Sequence, residues 1–443
     1  MFATASRRRL LLLAGTALAV LAAALFGGVL ARGDGPTPGA EPAGSAAARA
    51  KLGELGISTG APSSLTALEA EAKRDPSGAV FTQLGLAHLD SVTTTGDASG
   101  YARADAALNR AVELEPRSYD ALVALATLAA ARHDFPTALD FATRAEVLQP
   151  MTTDALGILG DSQLELGDYD AAFATFDRMA ATKPTLASYS RVAYGRELTG
   201  DRRGAVAAMT LAADVGAGSE AAAFPLLQRG NLYLALDDMD AAERDYRAAL
   251  RVVPEQAGAL GGLARIAFAE GRVDESIALY ERAIEASPLP EHPMELSKVL
   301  RGAGRAEEAR AADRLVDEFA DIERANGALL DFEVAVHDLD EGSDPEVALR
   351  TIRETWKVRK SIDTQDALAW ALVKTGRCAE ARRHSIGALR LGTQSGTKMF
   401  HRAEAERCLG NTSAARTWYR RALAAEPHFS AQWVARARAG ARS

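Results

Sequence analysis

The chain has 443 residues, of which 48% are hydrophobic, 25% charged and 6% aromatic, and it carries a formal net charge of -8. This balance indicates a chain that folds in water and excludes a disordered tail protein or a multi-span membrane protein. The acidic excess argues against a general nucleic-acid binder. Two cysteines are too few for a disulfide-stapled scaffold or a four-cysteine metal site.

The first predicted element is an apolar helix near the N-terminus. Residues 10–31 carry no charge and follow the arginines at positions 7, 8 and 9. Such a helix spans about 33 Å, enough to cross a bilayer once. By the positive-inside rule we expect residues 1–9 in the cytoplasm and the rest of the chain on the other side of the membrane. The alternative is a cleaved signal peptide and a secreted or periplasmic protein.

Three further segments follow this helix. Residues 32–63 are rich in Gly, Pro and Ala, which predicts a flexible linker. Residues 64–429 form the body of the chain, and residues 430–443 are predicted to be a basic capping helix. Residue types recur at a fixed interval within the body, and this interval indicates the fold better than the length of the chain does.

That period is 34 residues. Prolines recur at this interval at Pro116, Pro150 and Pro184, and again at Pro254 and Pro288. Within the block 153–186, small residues and aromatics occupy fixed places: Gly160, Tyr169, Ala172, Phe176 and Pro184. Small residues allow two helices to approach closely, and proline stops the second helix.

The chain resembles the tetratricopeptide-repeat family, whose repeat has this length and this order of residues. The resemblance runs from about residue 80 to residue 429 and implies an all-α fold. We expect a right-handed superhelical solenoid of about ten stacked antiparallel helix pairs, preceded by one N-terminal transmembrane or signal helix. A lone helix at Leu65–Lys73 can precede the first pair.

One unit departs from the pattern, and the histidines give no ligand spacing. Asp313 occupies the place of the aromatic residue in the unit 290–323, which predicts a packing irregularity there. The seven histidines are expected on helix surfaces or in turns, and the acidic stretch 337–344 is expected to be a solvated turn. We find no nucleotide-binding loop, zincin motif or nucleophile elbow. We therefore expect no catalytic residue, cofactor or metal.

The resemblance also implies a binding surface. Members of the family commonly bind peptides in the concave groove, which the first helix of each pair lines. The matching positions here are Asp154, Asp161, Glu165, Tyr194, Phe224, Asn231, Arg265 and Phe268. Their acidic start and aromatic middle favour a partner segment with basic and apolar features. A solvated face without a ligand is the alternative interpretation.

The two cysteines lie at one end of two consecutive helices. Cys378 begins the second helix of its unit, and Cys408 lies near the end of the next first helix. An exported body would allow a disulfide between them. Two separate buried thiols, too far apart to bond, are the alternative.

These observations predict a non-enzymatic scaffold or assembly factor that binds proteins or peptides in its groove. We expect it on the extracytoplasmic side of a membrane, in a bacterial envelope. It would be anchored through residues 10–31 and would not bind nucleic acid. Two alternatives stay open. One is an exported regulatory or catalytic protein with an unrecognised site, and the other is a self-associating envelope protein that forms homo-oligomers.

Overall fold

The computed structural model describes residues 65–95, 99–325 and 331–442. Within these ranges the secondary structure consists of 22 α-helices and one short 3-10 helix at Glu220–Ala222, without β-strands. No helix in the described part of the chain is both long and apolar enough to cross a membrane. The predicted segments 1–9, 10–31 and 32–63 lie outside the described residues.

The helices are numbered here in chain order. They are α1 (Leu65–Arg74), α2 (Gly78–Thr95), α3 (Ser99–Leu114), α4 (Tyr119–Ala131), α5 (Phe135–Leu148), α6 (Thr153–Glu165), α7 (Tyr169–Thr182), α8 (Leu186–Leu198), α9 (Arg202–Val215), α10 (Ala223–Ala235), α11 (Met239–Val252), α12 (Ala257–Ala269), α13 (Val273–Ala286), α14 (Glu291–Gly302), α15 (Ala306–Ala325), α16 (Asp331–Glu341), α17 (Pro345–Val358), α18 (Ile362–Lys374), α19 (Cys378–Ala388), α20 (Gly396–Cys408), α21 (Thr412–Ala425) and α22 (Val434–Arg442).

Helices α2 to α21 pack as ten consecutive pairs, from α2 with α3 to α20 with α21. Most pairs also pack against the next, so the core is a row of small clusters rather than one central core. Helix α1 packs on the first pair, and α22 packs on the last. This is the architecture of a helical solenoid, in which stability comes from neighbouring pairs.

In each pair from α4 and α5 to α20 and α21, the turn contains one residue with a left-handed backbone conformation. Gly167 has a φ of 84°, and the side chain of Asp168 then accepts a hydrogen bond from the backbone N–H of Ala171 at the start of α7. Glycine adopts a left-handed backbone conformation at little cost in free energy, and aspartate is a favoured N-cap residue. Two other pairs use the non-glycine residues His133 and Asp237 at the same place, with φ of 59° and 63°.

Close approach of the helices explains the alanine-rich composition. Ala138, Ala172 and Ala242 are completely buried on the second helices of their pairs. A Cβ atom added to Gly160 would lie 2.4 Å from the ring of Phe176, which fills the space between the two helices. A larger residue at Gly160 would therefore force the pair apart.

The array also closes on itself. The backbone N–H of Lys360 donates to the carbonyl oxygen of Glu165 over 2.8 Å, and the N–H of Ile362 donates to the hydroxyl of Tyr169 over 2.7 Å. The Ile362 side chain is fully buried in a cluster with Leu164, Tyr169 and Phe176. The start of α18 thus packs on the turn between α6 and α7, almost 200 residues earlier in the chain.

A second contact joins the same two parts of the array, α1 to α13 and α16 to α22, which we call its two arms. It is centred on Arg202, the first residue of α9. Its guanidinium donates to the carbonyl oxygens of Ala235 at 2.8 Å and Ala425 at 2.7 Å, which end α10 and α21. It also donates to the carbonyl oxygen of Gln394 at 2.6 Å and to Glu426 Oε1 at 2.5 Å. Carbonyl groups at helix ends lack partners within their own helix, so one buried arginine satisfies two helices from opposite arms.

Candidate functional site

The first helices of the pairs carry the eight groove positions that the resemblance implies, and the structure gives them different roles. Two of the acidic residues are buried in ion pairs. Asp161 accepts two hydrogen bonds from Arg191, at 2.9 and 2.6 Å. Glu165 accepts from Nε of Arg359 at 2.6 Å, across the contact between the two arms. These two carboxylates are engaged inside the protein, and Asp154 is half-buried beside Asp120.

The three aromatic candidates serve mainly in packing. Tyr194 packs on the cluster at the arm contact, which contains Ile362. Phe224 packs on the cluster between α8 and α9. Phe268 packs on the cluster of α12 to α15, where Ala431 from the C-terminal segment joins it. All three stay half-buried, so each keeps part of its ring accessible.

Arg265 is the most exposed of the eight candidates, and it is hydrogen-bonded to Asn231. Arg265 Nη2 donates to Asn231 Oδ1 over 2.5 Å and to the Tyr246 hydroxyl over 3.2 Å. The Tyr246 hydroxyl in turn donates to Asn231 Oδ1 over 2.9 Å. The Arg265 side chain is exposed, although it is held at two points. A fixed and exposed guanidinium is well suited to bind a carboxylate.

Charged side chains on the first helices of five pairs lie near one another: Arg265 is close to Glu295 and Lys298, and Glu197 is close to Asp363 and Lys398. We call six of them the inner charged surface: Glu197, Arg265, Glu295, Lys298, Asp363 and Lys398. Lys398 Nζ lies 2.5 Å from Asp363 Oδ1, and Lys298 Nζ lies 2.6 Å from Glu295 Oε1. The surface therefore has both signs of charge. It joins helices α8, α12, α14, α18 and α20.

The pKa values reflect this enclosure. Burial raises the pKa of Glu197 to about 7; Arg202 opposes the rise, while Glu426 and Asp363 add to it. Burial by itself would lower the pKa of Lys398, but Asp363 more than offsets this and the net shift is upward. Glu197 is thus the acidic group of the inner charged surface that titrates near neutral pH.

The segment before the last helix reaches the inner ends of the middle pairs. Gln432 Nε2 donates to the carbonyl oxygen of Asp340 over 2.9 Å, and Trp433 Nε1 donates to Asp340 Oδ1 over 3.1 Å. A Cβ atom on Gly302 would lie 2.4 Å from the carbonyl oxygen of Ala431. Residues 430–433 therefore fasten the C-terminal pair to α14 and α16, while Ala437 of α22 is buried against the last pair.

Cys378 and Cys408 are joined by a disulfide, and their Cα atoms are 5.4 Å apart. This separation lies within the range that a disulfide requires. The bond links the start of α19 to the end of α20, so it fastens two successive pairs.

The histidines differ from their predicted placement. His88, His292, His337 and His401 are buried, so the prediction that the histidines lie on helix surfaces or in turns is wrong for these four. His401 Nδ1 lies 2.9 Å from Asp366 Oδ2, and its ring stacks on Trp370. The sequence does not predict this burial, because the histidines do not recur at a fixed position of the repeat.

The predicted turn at 337–344 is also wrong over most of its length. Residues 337–341 belong to α16, and His337 points into the protein at the place where Asp313 replaces the aromatic residue. Asp313 accepts hydrogen bonds there from Ser297 and Arg301. The predicted irregularity at Asp313 is thus a polar cluster between α14, α15 and α16. The repeat pattern predicts an irregularity at Asp313, but it does not link this position to His337, which belongs to the next repeat.

Comparison with known proteins supports the repeat architecture. The family model for the tetratricopeptide repeat matches residues 124–187, 227–289 and 367–428. No curated protein sequence matches the chain.

Several solved structures are similar to the chain at low identity. Yeast Tom70 is 13% identical, with 90% of this chain and 94% of that chain covered and a TM-score of 0.38. The Cut9–Hcn1 hetero-tetramer of the APC/C is 13% identical, with 89% and 93% covered and a TM-score of 0.38. YrrB, described as a TPR protein with an unusual peptide-binding site, is 15% identical, with 41% and 92% covered and a TM-score of 0.31.

The matched stretches coincide with helix pairs that have the close-packed small residues and the interhelical aromatics described above. Residues 124–187, 227–289 and 367–428 are therefore tetratricopeptide repeats, set within a longer all-helical array.

Proposed function

We propose that this protein is a non-enzymatic scaffold or assembly factor that holds a segment of a partner protein against its inner charged surface. The observation that carries the proposal is the Arg265 guanidinium, which Asn231 and Tyr246 hold in place while it stays exposed. Arrays of this repeat typically mediate protein–protein interactions and present extended concave surfaces.

The structure changes the chemistry that we propose for the partner. The sequence favoured a basic and apolar segment because of Asp161 and Glu165, but both carboxylates are already paired with arginines. Arg265 instead suits a carboxylate of the partner, and the half-buried rings of Phe224 and Phe268 suit apolar side chains beside it. We therefore propose an extended partner segment with an acidic residue among apolar ones.

We further propose that the array works outside the cytoplasm, held at the membrane by residues 10–31. Two features support this location. The arginines at positions 7 to 9 precede the apolar run, and the cysteines are bonded, as in proteins of oxidising compartments.

Capture of partners tests the proposed function. Full-length protein carrying Arg265→Ala should recover its partners at least tenfold less than the unchanged protein, because the point that binds the carboxylate is gone. Arg282→Ala is the matched control, since Arg282 is an exposed arginine on the outer helix α13 and pairs with Glu255. Circular dichroism and melting of both variants check the fold. Equal recovery of the same partners by Arg265→Ala and Arg282→Ala would refute the inner charged surface as the binding site.

A further inference from the structure

Three potential metal ligands converge where the repeat pattern is broken. Asp313 lies on α15, and His337 and Glu341 lie on α16. One ligand atom from each residue lies within 4.8 Å of the other two. His337 Nε2 is 3.4 Å from Asp313 Oδ1 and contacts Glu341 Oε1. Because His337 and Glu341 are four residues apart on one helix, both side chains lie on the face that meets α15.

The histidine is buried without a hydrogen-bond partner. Its side chain is 4% exposed. Among the residues that the structure describes, neither ring nitrogen of His337 has a hydrogen-bond partner, and neither does Glu341 Oε1. The contact between Nε2 and this oxygen lacks hydrogen-bond geometry. Leaving buried polar atoms unsatisfied is costly, so these atoms call for a ligand between them.

A neighbouring helix holds the third ligand in position. Ser297 Oγ on α14 donates to Asp313 Oδ1 over 2.5 Å. Arg301 donates to both oxygens of the same carboxylate, at 3.1 and 2.6 Å. Such outer contacts orient a carboxylate ligand. The positive charge of Arg301 offsets one of the two carboxylates, so we expect weaker binding than at a site of four protein ligands.

We propose that Asp313, His337 and Glu341 bind one divalent transition-metal ion. One imidazole nitrogen and two carboxylate oxygens suit Zn²⁺ or Co²⁺ better than Ca²⁺ or Mg²⁺, which favour oxygen ligands alone. Three protein ligands leave a position for water. The ion would join α15 to α16. It would thus link two successive helix pairs at the place where Asp313 replaces the aromatic residue of the repeat.

The test uses Zn²⁺ and Co²⁺ with the full chain after treatment with a chelator. Calorimetry with Zn²⁺ should show one site per chain, and Zn²⁺ should raise the unfolding temperature whereas Ca²⁺ and Mg²⁺ should not. Co²⁺ should give visible absorption bands of a bound ion. His337→Gln should weaken Zn²⁺ binding by at least about tenfold and remove the Co²⁺ bands, because it removes the nitrogen ligand.

Two further variants keep the test decisive. Glu341→Gln removes a different ligand and should weaken Zn²⁺ binding in the same way, which covers the outcome that His337→Gln does not fold. His401→Gln is the matched control, since His401 is also a buried histidine beside a carboxylate, Asp366; it should bind Zn²⁺ as the unchanged chain does. Absence of a one-to-one site in the unchanged chain, or equal Zn²⁺ affinity in His337→Gln or Glu341→Gln, would overturn the proposal.

Discussion

Glu197 shows how a single residue responds to the enclosure of the inner surface. Its carboxyl group lies half-buried near Arg202, Glu426 and Asp363, and burial raises its pKa to about 7. In the unfolded chain the same carboxyl titrates near its ordinary value of 4.5. Between these two values the folded state binds a proton that the unfolded state has released. The free energy of unfolding therefore falls as the pH rises from about 4.5 to about 7.

Replacing Glu197 with Gln should remove this cost. At pH 8 the free energy of unfolding of Glu197→Gln should exceed that of the unchanged protein by roughly 1–3 kcal/mol, since each pKa unit is worth about 1.4 kcal/mol. Below pH 4.5 the difference should vanish because both side chains are then neutral. Denaturant unfolding at several pH values measures this. A difference that stays constant from pH 4 to pH 8 would contradict the assignment to Glu197.

At the scale of helices, the disulfide fastens α19 to α20. Cys378 and Cys408 are 30 residues apart, and their bond restricts the unfolded chain over this loop. A loop of this length corresponds to about 3–4 kcal/mol by the chain-entropy relation. In a linear array this stabilisation is local, since each pair depends on its neighbours.

The paired replacement Cys378→Ala with Cys408→Ala should therefore loosen mainly α19 and α20. Hydrogen exchange should become faster in these two helices, while exchange in α6 and α7 should change less. A reducing agent should have the same effect on the unchanged protein and none on the double variant, which is the control. If the reducing agent leaves exchange in the unchanged protein as it was, or if protein isolated from its own compartment contains two free thiols, the bond is not formed there.

The helices themselves could largely be predicted from the sequence. The 34-residue spacing and residues such as Gly160, Ala172 and Phe176 act locally, so they determine where a helix begins and what it packs against. The contacts of Glu165 and Arg202 could not be predicted in this way. Their partners lie about 190 to 220 residues away, and the pattern within one repeat contains no information about which distant repeat it will meet.

The candidate site was predictable to a similar degree. The repeat places Asn231 and Arg265 one period apart on successive first helices, and the structure brings the two into contact. The same rule assigned Asp161 and Glu165 to an open groove because it considers each helix without its arginine partners. His337 was missed for a related reason, since its neighbour Asp313 comes from another repeat.

At the scale of the whole molecule, the contacts between the arms turn a linear array into a closed one. Arg202 joins the ends of α10 and α21, and the start of α18 packs on the turn after α6. The inner charged surface is therefore enclosed between the arms, which explains why the pKa of Glu197 departs so far from its ordinary value. A partner segment would bind within this enclosure rather than on an open face.

The buried pair of Glu165 and Arg359 tests most directly whether the two arms meet. Nε of Arg359 donates to Glu165 Oε2 over 2.6 Å, and both side chains are about nine-tenths buried. Arg359→Met leaves the Glu165 carboxylate buried without its arginine, which should cost about 3–5 kcal/mol. Glu165→Gln should cost less, because Arg359 Nη1 still lies 3.4 Å from Glu333 Oε1. The double variant removes both charges of the Glu165–Arg359 pair.

The decisive measurement is a double-mutant cycle on the free energy of unfolding, using Glu165→Gln, Arg359→Met and the two together. If the arms meet as described, the loss in the double variant should be smaller than the sum of the two single losses by about 1–3 kcal/mol. Additive losses, within about 0.5 kcal/mol, would show that these residues do not touch and would contradict the closed array.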